Sequence, residues 1–158
     1  MITTVVFGFM SAAAVWLAAL SYVDRQARTI AATFLMATWA LSSLSLELRL
    51  LWPIMDTAFG GMFIMWWVDK PKMWKLGLFA LFVMQSVCHV VYHAALAFGG
   101  NVGYCYTAAL NALFICQLLV VSSDGIKRGR DLCIDWFADN FGRAWPDGVR
   151  SFFSRPER

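Results

Sequence analysis

Residues 74–98 read WKLGLFALFVMQSVCHVVYHAALAF, and this stretch points most directly to a membrane fold. A helix over these positions spans roughly 37 Å at about 1.5 Å per residue, which exceeds the ~30 Å hydrocarbon core of a bilayer. No charged residue follows Lys75 within the stretch. It contains both histidines of the chain, His89 and His93, which lie four residues apart and therefore share one helical face.

The composition of the whole chain also indicates a membrane protein. Hydrophobic residues make up 60% of the 158 positions, whereas only 15% are charged, against roughly 25% in soluble domains. The net charge of +3 is small and the basic residues lie in short segments between apolar runs, so no nucleic-acid partner is expected. The four cysteines lack CxxC spacing and are interpreted as small apolar residues.

The apolar runs together predict an all-α fold, a polytopic transmembrane helical bundle with about five spans. Pro53 is predicted to end the second helix, because proline forces its predecessor out of the α region. An alternative layout folds the second and third runs into a re-entrant pair and leaves three full spans. In the favoured layout the spans cover residues 2–22, 29–46, 54–68, 74–98 and 102–121.

The basic residues indicate the orientation of these spans. Segments on one predicted side hold eight Lys and Arg residues, whereas the other side holds only Arg49. Because basic loops stay in the cytoplasm, the chain is expected in the cytoplasmic (inner) membrane with its N-terminus outside and its C-terminus inside. The eight residues are Arg25, Arg28, Lys70, Lys72, Lys75, Lys127, Arg128 and Arg130.

After Ser122 the sequence changes character, which divides the chain into a transmembrane domain, residues 1–122, and a cytoplasmic or interfacial tail, residues 123–158. Apolar and acidic residues occupy opposite faces of residues 131–145, a spacing that predicts an amphipathic helix. Such a helix either lies on the inner membrane surface, with its aromatic side chains among the lipid headgroups, or docks against a protein partner or neighbouring subunit.

Polar side chains inside the predicted spans form the candidate site, because polar groups in hydrocarbon are costly and face the interior of a bundle. Gln85, His89 and His93 recur every four residues on the fourth span. If the turn at residues 99–101 makes the fourth and fifth spans antiparallel, His89 lies opposite Asn111 and His93 lies opposite Thr107. The side chain of Gln117 is expected to point away from this face.

A second polar group is expected near the outer boundary, at a depth similar to that of His93. Arg49 is predicted to form an outer-interface ion pair with Glu47 or Asp56. The residues that enter or leave the membrane at this depth are Glu47, Arg49, Asp56, Tyr104, Cys105 and Tyr106.

Three interpretations of the polar residues stay open. In the structural interpretation, Asn111 and Thr107 satisfy the histidines by hydrogen bonds. In the second, Asp56, His89 and His93 handle protons or ions, since imidazole titrates near neutral pH. In the third, the histidine pair binds zinc or copper with further ligands from other helices.

Several other chemistries are not expected from the sequence. Two histidines one turn apart cannot approach a single haem iron from opposite faces within a monomer. The chain has no phosphate-binding glycine loop, nucleophile elbow, HExxH motif or recognisable catalytic triad pattern. We therefore predict neither an enzyme nor a bound cofactor, and His89 and His93 are the sole candidates for metal ligands.

The chain resembles the small polytopic membrane proteins of bacteriophages and prophages, some of them holin-like. The resembling features are a short multi-span chain, the connector DKPKMWK at residues 69–75 before the helix with Gln85 and His89, and a basic C-terminal end. The resemblance implies homo-oligomerisation in the cytoplasmic membrane and permeabilisation for lysis, as a pore or scaffold. The alternative function is a proton-, ion- or metal-handling bundle centred on Asp56, His89 and His93.

Overall fold

The computed structural model describes residues 2–44 and 52–141, and within these ranges every regular element is an α-helix. The predicted all-α class is therefore confirmed for the described residues. Glu47 and Arg49, with their predicted ion pair, lie outside these ranges, as do residues 142–145 of the predicted tail helix. The five helices are α1 (Ile2–Leu20), α2 (Arg25–Leu44), α3 (Trp52–Asp69), α4 (Met73–Ala97) and α5 (Gly103–Phe141).

Two of the described helices are long and apolar enough to cross a membrane, as judged by length and composition. They are α4, Met73–Ala97, and the Gly103–Phe137 part of α5. Val5–Leu20 is a shorter apolar helical stretch. Large apolar side chains such as Phe9 and Met65 are exposed on the outside of the helices, which indicates association with a membrane.

Two helix boundaries differ from the sequence prediction. Pro53 was predicted to end the second helix, but it lies in the first turn of α3. Proline is tolerated there because its missing N–H has no intrahelical acceptor in the first turn. The predicted change at Ser122 leaves α5 unbroken, since the helix runs for 39 residues, or about 58 Å, without a proline.

The helix α5 lies at the centre of the packing and contacts α1, α2 and α4, while α3 packs chiefly against α4. Small residues line the contact between the first two helices, where Ala18 and Ala32 are completely buried. Between α3 and α4, the rings of Phe63 and Phe82 stack with their centroids 5.7 Å apart. Small side chains and stacked rings thus join the helices together with buried aliphatic residues such as Leu35 and Leu78.

The backbones of α5 and α1 approach each other closely at Gly125. A Cβ atom added at Gly125 would overlap the carbonyl group of Leu17 and would lie 3.1 Å from its Cα atom. One turn further along α5, a Cβ at Gly129 would meet only the tip of the Leu17 side chain, at 3.9 Å. The crossing of α1 and α5 therefore requires glycine at position 125.

Side chains of α5 hold the turn between α1 and α2. The carboxylate of Asp124 accepts hydrogen bonds from the backbone N–H groups of Tyr22, at 2.6 Å, and Val23, at 2.9 Å. Arg128 Nη1 donates to the carbonyl oxygen of Leu20 at 2.9 Å, at the C-terminus of α1. A cation is favourable there because the last carbonyls of a helix carry partial negative charge.

Arg28 joins the same region to the start of α4. Its Nη1 donates to the carbonyl oxygen of Val121 at 2.8 Å, and its guanidinium group lies 4.9 Å from the ring centroid of Trp74. Arg28 lies just before the predicted second span. Burial lowers the pKa of its guanidinium group, while the nearby carboxylates of Asp124 and Asp24 oppose this shift.

Lys75 extends this region to the connection between α3 and α4. It is buried, and its Nζ donates to the carbonyl oxygens of Trp66, at 3.1 Å, and Lys70, at 3.0 Å. The α1–α2 turn, the α3–α4 connection and residues 120–130 of α5 therefore lie at one end of the bundle. We call this region the basic end.

Candidate functional site

Three polar side chains from three different helices meet at the end of the bundle away from the basic end. His89 of α4 places its Nε2 atom 2.8 Å from Oδ2 of Asp56, which lies in the second turn of α3. The hydroxyl group of Tyr106, in the first turn of α5, lies 2.6 Å from Nδ1 of the same imidazole. Both ring nitrogens of His89 are thus engaged, and we call this group the Asp56–His89–Tyr106 triad.

The two contacts determine how the triad holds its protons. With a neutral imidazole, Nε2–H donates to the Asp56 carboxylate and the Tyr106 hydroxyl donates to Nδ1. When a proton is added, Nδ1–H donates to the Tyr106 oxygen instead, and the tyrosine hydroxyl rotates. The imidazole therefore keeps a partner on each side in both states, so proton uptake requires no movement of the helices.

Burial makes the pairing of Asp56 with His89 energetically important. The two residues expose only 5% and 2% of their surface. An unpaired buried carboxylate is expensive, whereas a hydrogen-bonded pair of opposite charge offsets much of the desolvation cost. The pair carries no net charge when it holds the proton and a charge of −1 when it has released it.

Aromatic rings flank the triad. The rings of Tyr106 and Tyr92 stack at a centroid distance of 4.0 Å with an interplanar angle of 14°. The imidazole of His89 meets the Tyr106 ring edge to face, at 5.6 Å. These contacts fix the orientation of Tyr106, so its hydroxyl group stays aimed at Nδ1 of His89.

The triad lines a cavity of about 770 Å³ between α2, α3, α4 and α5. Exposed residues, among them His93 and Leu96, surround one part of the cavity, while the buried residues Phe82 and Gln117 lie in its interior. All six residues of the predicted polar cluster line this cavity: Asp56, Gln85, His89, His93, Thr107 and Asn111.

The predicted hydrogen-bond partners within the cluster were wrong. Asp56 and Tyr106 occupy the two nitrogens of His89, the atoms that the predicted bond to Asn111 would have used. Thr107 donates to the carbonyl oxygen of Gly103 at 2.9 Å, in its own helix, and not to His93. Counting residues from a turn gives the depth of a Cα atom, but the long Tyr106 side chain contacts a residue at a different depth.

Gln117 was expected to point away from this face, and the structure corrects that prediction. Its Nε2 atom donates to Oε1 of Gln85 at 2.9 Å, although Gln117 is almost completely buried. A glutamine side chain is long enough to extend around the helix surface toward a neighbouring helix. This amide pair lies in the cavity lining, deeper in the bundle than the triad.

The arrangement of the described residues does not favour a metal centre. No three histidine, cysteine, aspartate or glutamate side chains among residues 2–44 and 52–141 converge on a point where an ion could be held. His93 lines the cavity and its ring contacts Tyr92 at 5.5 Å, but it is not part of the hydrogen-bonded triad. The pair His89 and His93 therefore lacks a third described ligand.

Tyr106 is the functional residue that the sequence analysis undervalued. It was expected only to enter or leave the membrane at a depth similar to that of His93. Its position in the first turn of α5 was the available signal, since the antiparallel arrangement brings that turn toward the histidine end of α4.

No protein family, characterised protein or solved structure matches this chain. The predicted resemblance to phage membrane proteins thus stays a prediction.

Proposed function

We propose that the protein is a multi-pass protein of the cytoplasmic membrane that moves protons through the Asp56–His89–Tyr106 triad. The observation that carries the proposal is the engagement of both nitrogens of the buried His89 by side chains from two other helices. A histidine held in this way accepts and releases a proton while keeping its hydrogen-bond partners. Imidazole suits this role because its ordinary pKa lies near neutral pH.

The proposed topology has five spans, with the N-terminus outside and the C-terminus in the cytoplasm. Its support comes from the basic end, where contacts of Arg28, Lys75 and Arg128 join segments far apart in sequence. In this topology every one of these segments faces the cytoplasm, as expected for basic loops. The cavity then lies toward the outer side, and its protons come from there.

The test measures proton flux into proteoliposomes that contain a trapped pH indicator, under an imposed membrane potential. We expect His89→Gln to lower the flux at least about tenfold, because glutamine fills a similar volume but does not titrate in this range. The matched control is His93→Gln, which alters a cavity-lining histidine one turn away and should retain most of the flux. Equal flux in the wild type and in both variants would contradict the proposal.

The same assay distinguishes this proposal from the holin-like pore that the sequence resemblance implies. A hole formed by an oligomer passes protons and larger ions alike, and its conductance does not depend on His89. If dye and proton leak together, and both persist in His89→Gln, the pore function replaces the proton-handling function.

A further inference from the structure

We propose that the cavity binds organic cations and that a bound cation competes with the proton held by Asp56 and His89. This inference rests on the proposed proton-handling function and adds a ligand class to it. It is carried by the charge, the aromatic lining and the size of the cavity.

The charge of the cavity lining favours a positive ligand. Asp56 is the only carboxylate among the described lining residues, and no lysine or arginine is found there. Asp56 directs Oδ2 at His89 and makes no hydrogen bond through Oδ1 within the described part of the chain. Among the described lining residues, no lysine or arginine would offset the repulsion between this carboxylate and an anion, which disfavours negative ligands.

The aromatic residues strengthen this preference. The face of an aromatic ring carries partial negative charge and attracts organic ammonium groups, most strongly where water is excluded. Each of the four helices that border the cavity contributes at least one aromatic side chain to its lining, so a cation inside it is surrounded by aromatic residues. The aromatic lining residues are Trp39, Trp52, Phe82, Tyr92, Tyr106 and Phe114.

The size of the cavity favours an organic cation over a metal ion as its ligand. A volume of about 770 Å³ falls within the range of roughly 300–1,000 Å³ found for pockets that enclose drug-sized molecules. A bare metal ion would fill little of it and would lack a third described ligand. The side chains of Gln85 and Asn111 provide amide groups for the polar part of an organic ligand.

Competition with the proton follows from the charge of the pair. When Asp56 and His89 have released their shared proton, the site carries a charge of −1 and attracts a cation; when the proton is present, the site is neutral. The other titratable groups that line the cavity are Tyr92 and His93 of α4 and Tyr106 of α5, while α2 contributes none among its described lining residues. Cation affinity should therefore rise with pH.

The experiment measures equilibrium binding of naphthylmethyl-trimethylammonium to the full-length protein in nanodiscs, with protein-free nanodiscs as the blank for partition into lipid. The positive charge of this probe is fixed, so any pH dependence belongs to the protein. We expect affinity to rise by up to about tenfold per pH unit while the free pair still holds its proton, with release of up to one proton per bound cation, and to level off once the proton is lost. Neutral naphthylmethanol and anionic naphthoate should each bind at least about tenfold more weakly.

Asp56→Asn should weaken binding of the cation at least about tenfold. The matched control is Asp69→Asn, which makes the same chemical change at an exposed position at the end of the same helix. Size-exclusion profiles and circular dichroism spectra establish that both variants fold. If Asp56→Asn does not fold, the pH dependence and the probe series on the wild type decide the question.

Two outcomes would overturn the inference: naphthylmethanol binding as tightly as the cation, which indicates an apolar groove, or cation binding that is independent of pH. Failure of the proposed function gives a different result. If the cation does not bind but proton flux still depends on His89, only the ligand class is wrong. If flux does not depend on His89, the proton-handling function itself fails.

Discussion

Gly125 of α5 packs directly against the backbone carbonyl of Leu17 in α1, with no space for a side chain between the two helices. This contact fixes the crossing point of the first and last described helices. It lies beside the hydrogen bonds by which Asp124 and Arg128 hold the α1–α2 turn. Among the described residues, the end of the bundle that carries most of the charged side chains therefore also contains this direct backbone contact.

Gly125→Ala should destabilise the fold by about 3 kcal/mol, because the added methyl group overlaps backbone atoms that cannot rotate away. Gly61→Ala is the matched control, since a Cβ at that position in α3 meets nothing within 4 Å. The control should be neutral or slightly stabilising, as alanine has the higher helix propensity. Unfolding in mixed detergent and dodecyl sulfate micelles measures the stability of both variants. Equal stability would show that α1 and α5 lie far enough apart at Gly125 to accept a methyl group.

Asp124→Ala should cost about 1–3 kcal/mol, because two backbone N–H groups in the α1–α2 turn lose a charged acceptor. Asp124→Asn retains one oxygen and should lose less. Hydrogen exchange at Tyr22 and Val23 provides the local measurement and should accelerate in Asp124→Ala. Asp135→Ala, at an exposed position further along α5, should leave exchange in the turn unchanged. If the amides of Tyr22 and Val23 exchange slowly in all three variants, the carboxylate of Asp124 does not hold the α1–α2 turn.

The Asp56–His89 contact can be measured by a double-mutant cycle. His89→Ala alone should destabilise by about 3 kcal/mol, because it leaves a buried carboxylate without its partner. The double variant Asp56→Ala/His89→Ala should be more stable than the sum of the two single losses predicts, by about 1 kcal/mol or more. Additive losses would mean that the two side chains do not interact in the folded protein.

The native cysteines allow the proposed topology to be tested without introducing new reactive residues. Cys105 and Cys133 are both exposed, the first beside the cavity end of α5 and the second beyond the basic end. In intact cells, a membrane-impermeant maleimide added from outside should label Cys105. Cys133 should stay unlabelled until the membrane is permeabilised. Single-cysteine variants assign the signal to each position. Labelling of Cys133 from outside would reverse the orientation.

Six polar residues that the sequence grouped together do line the cavity, but the hydrogen bonds they form were not predicted. The four-residue spacing of Gln85, His89 and His93 identified one face of α4, and that face does line the cavity. The partner of His89 could not be read in the same way, because Asp56 reaches it through the packing of α3 on α4. Such packing depends on side-chain shape across helices, which a local periodic pattern does not contain.

A local sequence pattern was also insufficient to predict the helix boundaries at Pro53 and Ser122. The cost of Pro53 depends on whether it falls inside a helix or in its first turn, and the residues around it allow either position. At Ser122 the change in polarity was taken as the end of a structural unit, whereas polarity reports the solvent around a helix and not its continuity. α5 simply passes from apolar to polar composition while its backbone remains helical.

Because α5 is one continuous helix, a tilt at one of its ends would move the other end as well. Tyr106 of the triad and the residues beyond the basic end belong to one continuous helix, which touches α1 where Gly125 meets Leu17. A rigid tilt of about 5° around that contact would move the far end of the described helix, roughly 24 Å away, by about 2 Å. A ligand that tilted the first turns of α5 would therefore also displace the end of this helix beyond the basic end.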